Sequence, residues 1–149
     1  MRLLFALLVV WLCPTLLGSC AAQRPDPKWV GGDLRAGSER QLWAATRMAL
    51  EKGDFPVGAG IDEAQLSAVS GYRHSLAPFR GKGFRERCFI EWTNVEADRW
   101  HLEVRVERDR NNDISHPLDI TYADWAPDED NEERARLVAQ FIRSMLATQ

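Results

Sequence analysis

The sequence predicts an α+β fold: a three- or four-stranded antiparallel sheet with an N-terminal and a C-terminal helix packed on one face. Two observations carry this. Residues 84–92 and 100–108 alternate apolar and polar side chains around the short linker 93–99, the pattern of a hairpin with one buried face. Segments with helical spacing flank that hairpin, one before it and one near the C-terminus. Two such helices can cover the apolar side of one sheet.

The first helix opens at Ser38, whose Ser38-Glu39-Arg40-Gln41 run has the form of a capping box. Leu42, Trp43, Thr46, Ala49 and Leu50 form its inward stripe, and Gly53 suits its C-terminal cap. Phe55-Pro56-Val57 reads as a short edge strand, where proline is tolerated. Residues 65–74 read as a strand and residues 75–83 as a hairpin connection, with Pro78, Gly81 and Gly83 as turn residues.

In the hairpin, Phe84, Cys88, Ile90 and Trp92 share one face with Glu86, and Arg85, Arg87, Phe89, Glu91 and Thr93 the other. Trp100, Leu102, Val104 and Val106 alternate with His101, Glu103, Arg105 and Glu107. The polar run 108–117 breaks the strand. Leu118, Ile120 and Tyr122 then form a short strand or an extended segment leading to Trp125. The last helix is expected over 130–147, with Asp128 or Asp130 as N-cap. Glu129, Glu132 and Glu133 at its start and Arg143 near its end complement the macrodipole. Ala135, Val138, Phe141, Ile142 and Met145 form its core stripe.

The 149 residues fit one domain, and 45% apolar with 28% charged residues fits a globular chain. The net charge of −3 argues against a nucleic-acid partner, which calls for a strongly basic domain. There is no internal repeat.

The N-terminus carries the most specific signal. Arg2 precedes an apolar run over residues 3–17 that is broken only at Pro14 and Thr15, the signal-peptide pattern. The run is shorter than the roughly 20 residues that span a bilayer, which weighs against a retained anchor helix. Leu17-Gly18-Ser19-Cys20 resembles the lipobox of bacterial lipoproteins. The resemblance implies cleavage before Cys20 and acylation of its thiol and amine. Acyl chains at roughly 0.8 kcal/mol per buried methylene hold a protein on a membrane. With Ala21 rather than Asp next, the resemblance implies the outer membrane, facing the periplasm. The organisation is then a signal peptide at 1–19, a lipid-anchored flexible linker at 20–37, and a single α+β domain at 38–149. Cleavage removes Arg2 and leaves 18 Lys+Arg against 22 Asp+Glu, a charge of −4. Trp29-Val30 within the linker either docks on the domain or sits at the membrane interface. Cys88 becomes a lone thiol on a strand, expected buried. Without lipidation, a Cys20–Cys88 disulfide is the competing reading.

Catalytic and metal signals are weak. His74, His101 and His116 lack any metal-ligand spacing. Ser70 lacks a nucleophile-elbow frame, Cys88 lacks an activating neighbour, and Gly81-Lys82-Gly83-Phe84 lacks the P-loop spacing. Residues 109–119 are rich in Asp and Asn but lack the order of a calcium loop. No cofactor, metal or catalytic residue is expected. The one charge concentration is Arg73, Arg80, Lys82, Arg85 and Arg87, against Glu86 alone. It could meet anionic lipid or lipopolysaccharide, or its outward arginines could pair across the sheet with Glu91, Glu103 and Glu107.

The lipobox, linker and following helix resemble the helix-grip lipoprotein of the outer-membrane β-barrel assembly machinery. Trp43, Ala49-Leu50, Gly53 and Phe55 are similar to the opening of that family's helix-grip domains. The likeness covers residues 38–147, one domain where the family has two. The outer-membrane lipopolysaccharide-transport lipoprotein has a similar two-helix, one-sheet layout. These resemblances imply a non-enzymatic accessory or assembly module. It would be held to the membrane by N-terminal acyl chains and would bind an envelope protein through a sheet face or edge. The alternative they leave is a lipoprotein that binds anionic lipid or lipopolysaccharide through the basic cluster. A hydrolase has little support.

Overall fold

A computed structural model describes residues 23–58, 60–76 and 82–147. The signal segment, Cys20, Pro78, Arg80 and Gly81 lie outside the described residues. Along the chain run β1 (Val30–Arg35), α1 (Glu39–Lys52), β2 (Ile61–Asp62), β3 (Ser67–Val69), β4 (Arg73–Ser75), β5 (Phe84–Glu96), β6 (Arg99–Asn111), β7 (Trp125–Pro127) and α2 (Glu132–Ala147). A 3-10 turn at Ile120–Tyr122 precedes β7. The fold is α+β, with one antiparallel sheet ordered β1-β6-β5-β3-β2. Near the far end of the hairpin, β4 adds to β5 and β7 to β6.

The β5–β6 hairpin organises the rest, because its alternation gives one continuous apolar face. Cys88 pairs with Val106, Ile90 with Val104 and Trp92 with Leu102, and all six are buried. Both helices close this face. The Trp92 indole N–H donates to Thr46 Oγ1 of α1 at 3.2 Å, and Asn131, just before α2, donates to Glu86 of β5 at 2.8 Å.

The α1 stripe holds as expected, with Ala45 added to it. Ser38 Oγ accepts from the Gln41 N–H, while Gln41 Oε1 reaches one residue further out, to the Gly37 N–H. Gly53 ends the helix at φ −83°, outside the left-handed region, and Asp54 takes that region at φ 60°. A Cβ at 53 would stand 3.0 Å from the ring of Phe55, which plugs the core, so a side chain there would crowd that ring by a few tenths of an ångström.

The sheet has seven strands, more than the three or four expected, because short edge pieces add to the hairpin. Residues 30–35, expected within the linker, form β1, and Val30 and Leu34 pack against the core. Phe55-Pro56-Val57 is not a strand; β2 takes the edge instead. The strand expected at 65–74 splits into β3 and β4, which pair with different parts of β5. Leu118, Ile120 and Tyr122 stay exposed, and the strand there forms later as β7. The α2 cap is Asn131, whose Oδ1 accepts from the Arg134 N–H at 3.1 Å; Asp130 is engaged elsewhere. Ala135, Val138, Ala139 and Ile142 are its buried residues, with Phe141 and Met145 partly buried beside them.

Candidate functional site

The sheet face turned away from the helices holds the outward arginines. Arg85 Nε donates to Asp109 at 2.8 Å, and Arg87 Nε to Glu107 at 2.8 Å. Arg105 Nε donates to Asp130 at 2.6 Å. Arg24, from the chain before β1, lies over the same face and donates to Asp109 at 2.6 Å. Its second nitrogen stands 3.5 Å from Glu107. Burial works against the Arg24 charge, but Asp109 and Glu107 outweigh it and hold the guanidinium above its ordinary value.

Aromatic rings interleave with these cations. Arg85 lies 4.1 Å from the Tyr72 ring and 5.1 Å from Trp125. Arg87 lies between Tyr72 and Phe89, at 5.1 and 4.9 Å, and Arg105 covers Phe89 at 5.5 Å. Each contact is worth roughly 0.5–1 kcal/mol where exposed and more where desolvated. The result is a cemented layer in which four arginines meet three buried carboxylates. A free anion would have to displace a hydrogen-bonded carboxylate to reach a guanidinium here, an exchange with little net gain.

The five-residue basic cluster is therefore split. Arg85 and Arg87 share this open face. Arg73 lies on the helix side, where it pairs with Glu86 at 3.0 Å. Lys82 is exposed in the turn before β5. Arg80 lies outside the described residues.

Nucleophile and metal candidates are occupied structurally. Ser70 Oγ donates to the Gly71 carbonyl and accepts from the Cys88 N–H, both at 2.8 Å. Cys88 is a free, fully buried thiol, and burial pushes its pKa up, away from thiolate chemistry. His101 faces Asp33 at 2.6 Å, and that hydrogen bond holds Asp33 below the usual carboxylate range. His74 lies between Tyr72 and Trp125, at 6.2 and 5.8 Å. His116 stacks on Tyr122 at 4.5 Å. Among the described residues no three His, Cys, Asp or Glu side chains gather as a metal site requires. Asp113 of the Asp- and Asn-rich run caps a turn, accepting from the N–H groups of Ser115 and His116, which lowers its pKa. Among the described residues no helix is long and apolar enough to cross a membrane.

Sequence reasoning missed Arg24, Tyr72, Asp109, Trp125 and Asp130. The hairpin register was the signal for Asp109: if Arg87 faces Glu107, then Arg85 must face Asp109. Arg24 and Asp130 arrive from outside the hairpin, and no local pattern marks them. No protein-family model matches the chain, and no curated protein matches it significantly.

Proposed function

We propose that the chain is a lipoprotein of the cell envelope, acylated at Cys20 and anchored in the outer membrane facing the periplasm. Its domain is a non-enzymatic accessory or assembly module that binds a protein partner. The observation that carries the binding reading is β1, an edge strand of six residues bonded to β6 on one side, with no strand on the other among the described residues. Such an edge offers backbone donors and acceptors to an incoming strand. The two helices on one antiparallel sheet are compatible with a helix-grip layout and with the assembly-machinery lipoproteins it resembles. Anionic-lipid or lipopolysaccharide binding through Arg73, Arg80, Lys82, Arg85 and Arg87 is the weaker reading, because Arg73, Arg85 and Arg87 already hold carboxylates.

Two measurements test this. Mass spectrometry of the native N-terminus should find an acylated Cys20; an intact Met1 overturns the anchor. A photo-crosslinker placed at Asp33 on β1 should trap one protein at near-stoichiometric yield in intact membranes. No adduct at Asp33 or at neighbouring edge positions removes the edge as the contact.

A further inference from the structure

We propose that the loop 112–124 dips into the interface of a zwitterionic phospholipid bilayer, giving the domain a second membrane contact beside its acyl anchor. The proposal rests on the acylation of Cys20 argued above.

Ile114, Leu118, Ile120 and Tyr122 are 82%, 61%, 47% and 59% exposed. This places four large apolar side chains outward within nine residues. The loop holds them there by bonding its own polar groups. Asn111 Oδ1 accepts from the N–H groups of Asp113 and Asp124, closing the loop base. Asp119 Oδ1 accepts from the Thr121 N–H. Exposed apolar tips of this kind enter a bilayer interface without needing a matching pocket.

The start of the described chain says what meets this loop. Arg24 is fixed to Asp109 at 2.6 Å, and the loop leaves β6 only two residues later, roughly 7 Å along the strand. Three residues lie between Cys20 and Arg24, four chain steps with a reach of at most about 14 Å. An acylated Cys20 therefore brings the bilayer to the end of the sheet that carries the loop. The opposite end, at Val95, lies roughly 40 Å away along β5. The loop's Asp113, Asp119 and Asp124 outnumber Arg110 and Lys82 at its base, so the fitting surface is zwitterionic rather than anionic. Once the anchor is seated, even a weak insertion is favoured by the high effective concentration of the tether.

The test uses the full chain purified from membranes and reconstituted in phosphatidylcholine vesicles. Leu118→Cys and, separately, Val95→Cys carry an environment-sensitive fluorophore; both sites are exposed, and the buried Cys88 does not compete. The expected result is a blue shift and loss of emission with bromine-labelled acyl chains at position 118, and neither at 95. Adding anionic lipid should leave the loss unchanged. A water-like, unquenched label at 118 on a chain whose mass shows acylated Cys20 overturns the loop contact and leaves the anchor standing. A label shielded in native membranes yet unquenched in vesicles means a protein covers the loop, and also overturns it. A chain whose mass shows no acylation overturns both.

Discussion

The Glu86 carboxylate, fully buried on the helix side of β5, accepts two hydrogen bonds from Arg108 of β6, at 2.9 and 2.7 Å. Arg73 of β4 and Asn131 before α2 bond the same carboxylate, and Arg134 approaches it at 3.5 Å. Four side chains from three pieces of chain thus converge on one acid. A buried charge is tolerable only when so fully partnered.

Glu86→Ala leaves three guanidinium groups facing an empty site. Removing one member of a buried pair costs about 3–5 kcal/mol, and the partial exposure of these arginines puts this case near the lower end. Urea unfolding should show a lower midpoint with the slope unchanged. Arg108→Ala should cost less than Glu86→Ala, since Arg73 and Arg134 still neutralise the acid and Asn131 still donates to it. Equal losses would mean the acid depends on Arg108 alone.

The Trp92–Thr46 bond ties β5 to α1 inside the core. Thr46→Val strands a buried indole donor and should cost about 1–3 kcal/mol. Trp92→Phe removes the donor as well as some packing. The double variant should therefore lose less than the two single losses added together. Additive losses, measured by denaturant midpoints, would show that the bond carries no coupling.

The hairpin was legible because β5 and β6 alternate cleanly and bury one face. Glu86 was visible on that apolar face as an exception, but its partners lie 13 to 48 residues away in sequence and leave no local mark. The strand β1 was illegible for a physical reason. Its VGGDLR carries two glycines and two apolar residues, the composition of a linker, yet Gly31 lets its backbone lie against β6. In the same way Asp130 looked like a cap by composition, while Arg105 holds it and Asn131 caps the helix.

Gly31 tests whether β1 belongs to the domain. A Cβ there would stand 1.7 Å from the Leu102 carbonyl oxygen, so any side chain must push the strand away. Gly31→Val should cost about 2 kcal/mol, in the range of overpacked sites. Amide exchange should then speed up along β1 while the β5–β6 ladder stays protected. Unchanged protection of β1 would rule out the close approach.

His74 gives a pH signature. Partial burial and the neighbouring Arg85 charge both lower its pKa below the ordinary 6.5. The unfolded chain takes up a proton near pH 6.5 that the folded chain refuses, so stability falls as pH drops from there toward the folded midpoint. An NMR titration of the ring should give a midpoint below 6.5, and Arg85→Gln should raise it. His74→Gln should flatten the slope of stability in that window. A midpoint at or above 6.5 refutes the assignment.

Arg85 and Arg87 separate the two readings of the basic cluster. Each is about one-third exposed or less and neutralises a carboxylate that is almost wholly buried. Substituting both by glutamine leaves Asp109 with Arg24 and Glu107 with Arg24 and Arg105, so the domain should still fold. The loss should be about 2 kcal/mol, discounted for solvent screening of the exposed guanidinium groups. Glutamine is preferable to glutamate, which would set like charges against Asp109 and Glu107 and confuse unfolding with lost binding. Sedimentation with phosphatidylglycerol vesicles should be unchanged between wild type and the double variant, each confirmed folded by circular dichroism. A large drop in the folded variant would show that these arginines meet lipid phosphate despite their carboxylate partners, and would restore the anionic-ligand reading.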